Sequence, residues 1–400
     1  MKITFVLAVA DRGGGNRVVA TYAERLQERG HEVLIVSRPH NERTLWERLK
    51  GLVTERRWLP RRHDEPSHLD GTGVKHHQTD TPRPIIDHDV PDADIVIATW
   101  WETAHWVSAL SPGKGAKVHF IQHHEVFPYL PVERVQATYR LPGLHRITIS
   151  RWLQDIMSDT YGDRDTTLVK NSVDTGLFFA PPRGKQKRPT VGVIYQAERG
   201  GWKGGDVAMD ALARVKGSVP DLHVVSFGVR PPTRELPLPE GSTFVANPPQ
   251  QRLRELYAQC DVWLCASRSE GFGLPLLEAM ACRTPVVSTR VGGATDLIEE
   301  GREGYVVDVE DSEGLARRLV QVLSLDEPAW RVMSDAAFAT ATGYTWDDAT
   351  DLFEAGLFEA MARNDLRTPI RETFDKAPAV EEPPAALEEP PFAGASYRRS

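Results

Sequence analysis

Short runs of β-branched residues alternate with amphipathic helical segments along most of this chain, and this alternation limits the possible folds more than any other feature. Such a pattern is typical of parallel α/β sheets, in which a helix follows each strand. Residues 59–92 interrupt it with five prolines and five histidines, and we interpret them as a long surface excursion. The predicted strands span residues 3–9, 32–37, 94–99, 118–122, 146–150, 190–195, 223–227, 243–246, 261–266, 285–289 and 305–307.

The alternation begins again after the run APPRG at residues 180–184, which we interpret as a linker between two domains. Four hundred residues also exceed what one hydrophobic core usually serves. We therefore predict two Rossmann-like, doubly wound α/β domains that face a cleft, since open sheets of this kind bind ligands at the carboxyl ends of their strands. The predicted parts are a first domain at 1–180, a second at 185–345, a helix at 346–364 that crosses back to the first domain, and a disordered tail at 372–400.

Charge is distributed unevenly along the chain. Residues 1–180 hold 23 Lys and Arg against 23 Asp and Glu, so the remaining 25 basic and 33 acidic residues account for the net charge of −8. Residues 43–62 carry seven basic and two acidic side chains, with Leu and Trp at helical spacing. This segment is either a helix packed on the sheet with a basic solvated face, a peripheral contact with an anionic membrane, or part of an acceptor site. No nucleic-acid motif accompanies it, so we predict no nucleic-acid partner.

Composition and motif spacing exclude several other classes. With 40% hydrophobic and 26% charged residues, the chain is neither disordered nor collagenous. The three cysteines form no CxxC pair, and the histidines of the 59–92 excursion match no ligand spacing, so no metal is expected. The first apolar run is too short for a membrane span and lacks a cleavage pattern. We expect a cytoplasmic protein, with peripheral contact at the inner face of the membrane as an alternative.

A glycine loop follows the first strand and opens a helix predicted at 16–29, which Gly30 should end. Backbone N–H groups at Gly14 and Gly15 could approach a phosphate at the positive end of that helix. A dinucleotide site is less well matched, because Val18 replaces the third glycine and the second strand ends in Arg38 rather than an acid. Arg38 could still meet an NADP phosphate, and a glycine turn needed only for packing is also open.

The stretch from residue 267 to residue 282 predicts a strand end, a turn and a helix that carry two glutamates. Glu270 lies on the turn and Glu278 lies eight positions later in the helix, which suits two separate roles better than a paired acid and base. An ionised carboxylate accepts at least two hydrogen bonds, so one can bind sugar hydroxyls and the other ribose hydroxyls. The candidate ligand-binding residues of this stretch are Glu270, Gly271, Phe272, Gly273, Leu274 and Glu278.

The run EGFGLPLLEAMACRTPVVSTRVGGATDLIEEGREGYVV, residues 270–307, resembles the donor-site signature of retaining glycosyltransferases of family 4, which have the GT-B fold. Glu270 and Glu278 match the Glu-x7-Glu pair of that family, and Gly292 with Gly293 matches its Gly-Gly turn. Asp296 stands where the family usually has Glu. Because several parts match in order, the resemblance is specific.

Other family landmarks follow along the chain. By resemblance, Gly13–Gly15 contact the donor diphosphate, and His124 with Glu125 forms the His-Glu element near the transferred sugar. The stretch 170–174 resembles the family's P-N-G-V-D, with Lys170 in place of proline and Ser172 in place of glycine. Lys203-Gly204 fits the diphosphate clamp, whereas Arg199 stands one residue closer to it than in the family pattern.

The resemblance implies a retaining hexosyl- or deoxyhexosyltransferase that moves a sugar from a nucleoside diphosphate sugar to a hydroxyl acceptor, in glycan, cell-surface polysaccharide or glycolipid biosynthesis. It implies no protein nucleophile, no metal and no other cofactor. The residues expected to act in catalysis are His124, Glu270, Lys203 and Arg199, and those expected on the acceptor side are Trp100, Trp101 and Glu125. A nucleotide-sugar epimerase of the same fold and a non-catalytic nucleotide-sugar-binding protein are the alternatives. A structural histidine at 124, a salt-bridge role for Arg199 and a core role for the tryptophans also stay open.

Overall fold

A computed structural model describes residues 1–41, 66–197 and 199–371, without side chains for 366–371. The basic segment at 43–62 and the tail at 372–400 lie outside these ranges. The strands are β1 (Lys2–Val9), β2 (Glu32–Arg38), β3 (Lys75–Gln78), β4 (Ile95–Ala98), β5 (Ala116–Ile121), β6 (Leu144–Thr148), β7 (Thr167–Leu168), β8 (Thr190–Ile194), β9 (His223–Gly228), β10 (Thr243–Ala246), β11 (Val262–Cys265), β12 (Val286–Thr289) and β13 (Gly304–Val307). The helices are α1 (Gly14–Glu28), α2 (Trp101–Ala109), α3 (Val132–Thr138), α4 (Arg151–Tyr161), α5 (Gly205–Ser218), α6 (Gln250–Ala258), α7 (Leu274–Ala281), α8 (Ala294–Leu297), α9 (Ser312–Leu323), α10 (Glu327–Thr342) and α11 (Trp346–Arg371).

These elements form two sheets, which confirms the predicted α/β class. The first has the strand order β3-β2-β1-β4-β5-β6-β7, and the second has the order β10-β9-β8-β11-β12-β13. β1 pairs in parallel with β2 and β4, so that Phe5 lies opposite Ile35 on one side and Ile97 on the other. All three side chains are fully buried. Continuous burial of this kind is expected where helices cover both faces of a parallel sheet.

The edge strand β3 was not predicted, because it lies inside the stretch that we interpreted as a surface excursion. Its sequence, Lys-His-His-Gln, is polar throughout, and all four residues are exposed. Hydrophobic alternation therefore gives no signal for it. Its pairing with β2 is visible only in the structure, where His76 lies opposite Ile35 and hydrogen-bonds the Ser37 hydroxyl at 2.9 Å.

The structure divides into two compact units. One contains residues 1–121, 125–147 and 353 onward, and the other contains residues 122–124 and 148–352. These units are groups of residues in mutual contact, and the domain bounds expected from the sequence stay a prediction. Of the residues that the structure describes, none forms a helix both long and apolar enough to cross a bilayer.

Helix α11 packs on the first sheet through aromatic residues. The ring of Phe353 stacks on Tyr22 of α1, with centroids 4.3 Å apart, and meets Phe120 of β5 edge-on. Next to it, Glu354 pairs with Arg29 at 2.9 Å and with His31 at 2.7 Å. Aromatic pairs in such geometry add to the hydrophobic gain of burial. This packing fixes the helix from residue 353 onward within the first unit.

Stability of the first unit should depend on pH through His119 of β5. This side chain is 1% exposed and stacks on Tyr139, and burial lowers the pKa of His119 to about 3. Between pH 3 and pH 6.5 the unfolded chain therefore binds more protons at this histidine than the folded protein does. The contribution of neutral His119 to the free energy of unfolding is thus complete above pH 6.5 and is lost as pH falls. Between pH 7 and pH 5 the free energy of unfolding should drop about 2 kcal/mol more for the wild type than for His119→Phe. Urea unfolding at both pH values measures this difference, and equal losses would contradict it.

Candidate functional site

Two loops meet at the carboxyl edge of the second sheet. β8 and β11 are parallel neighbours, so the loops that follow them leave the same edge side by side. One loop carries Lys203 and the other carries Glu270, and Lys203 Nζ lies 2.8 Å from Glu270 Oε1. Two residues that are 67 positions apart in sequence thus form one ion pair.

Glycine makes this approach of the two loops possible. Gly204 has φ +61°, the left-handed region, and a Cβ added there would overlap the carbonyl oxygen of Ala266. A Cβ added at the next residue, Gly205, would overlap the carbonyl oxygen of Gln196. A side chain at Gly204 would force the two loops apart, and one at Gly205 would distort the Lys203 loop itself. The Lys-Gly pair of the sequence therefore brings the ammonium group to the second loop.

The ion pair is largely shielded from water. Glu270 is 7% exposed, and its Oε1 also accepts a hydrogen bond of 2.7 Å from the Ser267 hydroxyl. On the other side, Lys203 Nζ lies 4.1 Å from the ring centroid of Trp202, which is 38% exposed. A buried carboxylate is stable only when paired and hydrogen-bonded. The arrangement holds one cation and one carboxylate beside a partly exposed aromatic ring.

Of the two adjacent histidines, His123 is the one that lies beside this pair. Its ring meets the Trp202 ring edge-on, with centroids 5.7 Å apart, and the charges of Glu270 and Lys203 act on it. His124, which the resemblance selects, instead hydrogen-bonds Tyr161 Oη at 2.8 Å through Nε2. Burial lowers the pKa of both, that of His124 to about 4, so His124 is neutral at pH 7. The expected role of His124 stays a prediction. Nothing in the sequence indicates that its neighbour His123 contacts Trp202.

Glu278 lies apart from Glu270 and has a different partner. It is 4% exposed within α7, and its Oε2 accepts a hydrogen bond of 2.7 Å from the hydroxyl of Tyr257 on α6. Tyr257 is fully buried, against the ring of Trp263. Because this contact joins two helices, sequence spacing does not predict it.

The turn between the two glutamates is held by backbone contacts. A Cβ at Gly271 would overlap the carbonyl oxygen of Gln122, and the Ser150 hydroxyl donates to the Gly271 carbonyl at 2.8 Å. The carbonyl of Phe272 accepts from Gly293 N–H at 2.8 Å. Gly273, with φ +90°, directly precedes Leu274, the first residue of α7. The turn and the start of this helix therefore have a fixed position beside Glu270.

Not every predicted residue of the second unit joins this site. Arg199 donates to the carbonyl oxygen of Glu235 at 2.8 Å, a contact made on the exposed surface. Its role at a diphosphate stays a prediction. Asp296, 2% exposed at its side chain, accepts from Arg151 N–H at 2.8 Å and lies 3.2 Å from Lys170 Nζ. Two of the departures from the family pattern, at positions 170 and 296, are thus in contact with each other.

The predicted glycine loop lies in the first unit. Gly14 and Gly15 are exposed at the start of α1, after the N-cap residue Gly13. The Asp11 carboxylate accepts from Gly13 N–H and from the Asn16 amide, both at 2.7 Å. This geometry leaves the amino end of α1 accessible to an anion.

The residues expected on the acceptor side also lie in the first unit, and they differ in exposure. Glu125 is 3% exposed and accepts from Trp101 N–H at 2.8 Å, and burial raises its pKa well above the usual value. Trp101 is 6% exposed, so its ring belongs to the core, whereas Trp100 is half-buried. Arg38, the residue of the NADP alternative, pairs with Glu102 at 3.1 Å. In the part of the chain that the structure describes, no three His, Cys, Asp or Glu side chains are grouped as a metal site.

Comparison with known proteins gives the following similarities. The family model described as glycosyl transferases group 1 matches residues 180–338. N-acetyl-alpha-D-glucosaminyl L-malate synthase of Bacillus anthracis is 44% identical over 88 residues, which cover 22% of this chain and 23% of that protein. D-inositol 3-phosphate glycosyltransferase of Mycobacterium avium is 33% identical over 167 residues, 38% of this chain and 39% of that protein. The chain thus spans less than half the length of these curated relatives.

Solved structures resemble the chain over most of its length. HepE of Anabaena in complex with UDP-glucose has a TM-score of 0.65 at 18% identity, and the match covers 91% of this chain and 100% of that one. Sucrose-phosphate synthase of Thermosynechococcus elongatus has a TM-score of 0.64 at 16% identity, with the same coverage. At this identity the likeness establishes the fold, which is GT-B.

Proposed function

We propose that this chain, whose residues 180–338 form a group 1 glycosyltransferase domain, transfers a sugar from a nucleoside diphosphate sugar to a hydroxyl acceptor with retention of anomeric configuration. The observation that carries the proposal is the ion pair of Lys203 and Glu270 across two loops of that domain. The pair supports the proposal because an ammonium group can donate to a diphosphate and a carboxylate can accept from sugar hydroxyls.

The cation would act on the phosphates. The Lys203 ammonium donates charge-assisted hydrogen bonds, which strengthen as negative charge develops on the leaving diphosphate. Backbone N–H groups at residues 271–274, where α7 begins, add the positive end of a helix dipole. Arg199 is a further proposed phosphate ligand of the second unit, and Gly14 and Gly15 are proposed phosphate ligands of the first unit. This set supplies the positive charge without a metal ion.

The carboxylates would orient the rest of the donor. When the donor binds, Lys203 exchanges its contact with Glu270 for a contact with the phosphate. Glu270 then accepts hydrogen bonds from hydroxyls of the transferred sugar. Glu278, eight residues further on, accepts from the ribose hydroxyls. His124, a neutral imidazole, is proposed to orient the sugar. Trp100, Trp101 and Glu125 lie on the acceptor side in this proposal.

The reaction then balances without a protein nucleophile. The bond between the anomeric carbon and the phosphate oxygen breaks, and a bond from that carbon to the acceptor oxygen forms on the same face. The acceptor hydroxyl loses its proton to the departing phosphate oxygen. The products are the glycoside and the nucleoside diphosphate.

A UDP-hexose is the first donor to test, because HepE, which shares this fold, was solved with UDP-glucose. The proposed setting is the synthesis of a glycan, cell-surface polysaccharide or glycolipid in the cytoplasm. Residues 43–62 would bring the enzyme to an anionic membrane surface. Cosedimentation with phosphatidylglycerol vesicles, compared with phosphatidylcholine vesicles, tests that contact, and equal binding to both would contradict it.

Product analysis tests the reaction. The full chain is incubated with UDP-glucose, UDP-galactose, UDP-N-acetylglucosamine and GDP-mannose, with and without a panel of sugar and polyol acceptors. We expect nucleoside diphosphate to be released in step with an acceptor glycoside whose anomeric configuration is that of the donor. An epimerised sugar nucleotide formed without acceptor would replace the transferase proposal with an epimerase. Binding of a donor with no turnover on any acceptor would favour a non-catalytic binding protein.

Tyr257 gives a prediction about ribose recognition. Tyr257→Phe removes only the hydroxyl that donates to Glu278, so the carboxylate loses its orientation while its charge stays. The wild type should bind UDP more tightly than 2′,3′-dideoxy-UDP, and the variant should reduce this preference by roughly fivefold, about 1 kcal/mol. Calorimetric titration measures both affinities. Tyr305→Phe, on β13, is the matched control, and an unchanged preference in Tyr257→Phe would contradict the assignment of Glu278 to the ribose.

A further inference from the structure

Arg268 lies two residues before Glu270, on the loop that follows β11, and neither the family pattern nor the proposed chemistry assigns it a role. We infer that Arg268 is a positioning residue that locks the loop of Lys203 onto the loop of Glu270. This inference rests on the proposed function, because it concerns how the two charged groups are held for a diphosphate donor.

Main-chain contacts at Arg268 join the two loops directly. The backbone N–H of Arg268 donates to the carbonyl oxygen of Trp202 at 2.7 Å, and the N–H of Ser269 donates to the same oxygen at 3.3 Å. Trp202 immediately precedes Lys203 in the sequence. Trp202, the residue before Lys203, is therefore hydrogen-bonded to Ser269, the residue before Glu270.

The guanidinium group adds a second set of contacts to the first loop. Its Nη1 donates to the carbonyl oxygen of Gly201 at 2.9 Å and to Asp206 Oδ1 at 2.8 Å, and its Nη2 donates to Asp206 Oδ2 at 3.2 Å. Asp206 in turn accepts from Gly200 N–H at 3.0 Å. Arg268 and Asp206 thus form a bidentate pair that holds the loop on the amino side of Lys203. Arg268 binds residue 201, and Asp206 binds residue 200.

A third element completes the arrangement. Arg268 Nε and Nη2 donate to the carboxylate of Glu310, the second contact at 3.0 Å. Glu310 follows β13, the far edge of the same sheet, and holds a φ of +69° that is rare outside glycine. The Glu310 pair therefore joins the guanidinium to the loop that follows β13.

These contacts decide which role Arg268 can have. A guanidinium has five N–H donors, and all five are used here: one on Nε, two on Nη1 and two on Nη2. Two carboxylates also surround its single positive charge. Arg268 therefore has no donor left for a phosphate, unlike Lys203, and acts on the donor only through the loop that it holds.

The fixed planar fork of arginine is what this position requires. Lysine would keep the charge but offers three donors on a single flexible atom, so it cannot satisfy Asp206, Glu310 and Gly201 together. Burial tends to raise the pKa of Asp206, but hydrogen bonds from Arg268 and Gly200 lower it below its usual value. Both partners are therefore charged at neutral pH, and the lock should not depend on pH near 7.

The test compares affinities for a diphosphate and a monophosphate. UDP and UMP, and in parallel GDP and GMP, are titrated into the full chain as wild type, Arg268→Lys, Asp206→Asn and the control Arg214→Lys. Arg214 lies on α5 and pairs with the exposed Asp210. For the diphosphate that binds the wild type, we expect Arg268→Lys to weaken binding about tenfold. Monophosphate binding should change less than twofold, because this inference assigns Lys203 to the distal phosphate, which UMP and GMP lack.

Each outcome has a defined consequence. Asp206→Asn should shift the diphosphate affinity in the same direction as Arg268→Lys, which keeps the test valid if one of them fails to fold. Diphosphate affinity equal to wild type in the folded variants would overturn the inference, as would equal weakening of monophosphate and diphosphate. If the wild type itself binds no diphosphate, the proposed function fails rather than the role of Arg268. Sugar transfer by Arg268→Lys, where measured, should show a lower kcat together with a higher KM for the donor.

Discussion

Replacing Lys203 by alanine should reduce sugar transfer by about 10²–10³-fold, because removal of one preorganised donor to a developing anion costs that much in enzymes. In this chain the ammonium group lies 2.8 Å from Glu270 and over the ring of Trp202. Its loss removes the cation for the leaving diphosphate and leaves the Glu270 carboxylate, 7% exposed, without its charged partner. Both effects act on the same reaction step, so we expect the larger part of the loss in kcat.

Lys187→Ala is the matched control for this experiment. Lys187 is exposed and precedes β8, at the opposite edge of the second sheet from the Lys203 loop. The control variant should keep kcat and KM within about twofold of the wild type, as surface substitutions away from a site usually do. Steady-state rates of nucleoside diphosphate release give both constants. A Lys203→Ala variant that folds and transfers sugar at more than a tenth of the wild-type rate would contradict the proposed role.

Replacing Gly204 by alanine should destabilise the second unit by about 2–5 kcal/mol. A residue with a side chain costs roughly 1–2 kcal/mol in the left-handed region, and the forced shift of the β11 loop adds a steric cost of about 1–3 kcal/mol. The added Cβ would overlap the carbonyl oxygen of Ala266 at a φ of +61°. Because relief of this overlap moves the two loops apart, the affinity for a diphosphate should fall as well.

The control for Gly204→Ala lies in the following helix. Gly217, near the end of α5, has open space where a Cβ would be added. Gly217→Ala should therefore be neutral or stabilise by up to about 1 kcal/mol, since alanine is the better helix former. Urea unfolding measures both variants. Similar free energies of unfolding for the two alanine variants would contradict the prediction, because a side chain at position 204 would then cost no stability.

Strand positions could be predicted from the sequence because burial on both faces leaves a continuous apolar signal. β1 is buried from Ile3 to Leu7, and its neighbour β4 is buried throughout. Gly30, with φ +87°, follows the end of α1 as the sequence indicates. β3 and β7 could not be found in this way. β3 is polar and exposed, and β7 has only two residues, so neither carries a hydrophobic period.

For the candidate site, the sequence predicts charged residues but not the residues that contact them. Glu270, Glu278 and Lys203 stand in motifs with fixed spacing, and such spacing is set by the local turn and helix. Tyr257 donates to Glu278 from another helix, and Arg268, which precedes the motif, donates to Asp206 and Gly201 of the loop that carries Lys203. The position of His123 next to Trp202 likewise depends on how separate segments pack. Side-chain contacts of this kind depend on how distant segments pack, and motif spacing does not predict that packing.

Calorimetric titration of UDP, GDP and ADP into the wild type and Glu278→Ala tests whether this domain binds the nucleoside diphosphate of a donor through Glu278. Glu278 is a buried residue of the domain that matches the family model, and it is proposed to bind the ribose of the donor. We predict that one diphosphate binds the wild type, and that the variant binds it at least tenfold more weakly, about 1.4 kcal/mol. Glu278→Gln repeats the comparison if the alanine variant does not fold. Wild-type protein that binds none of the three diphosphates, or a folded variant that binds as tightly as the wild type, would contradict the account.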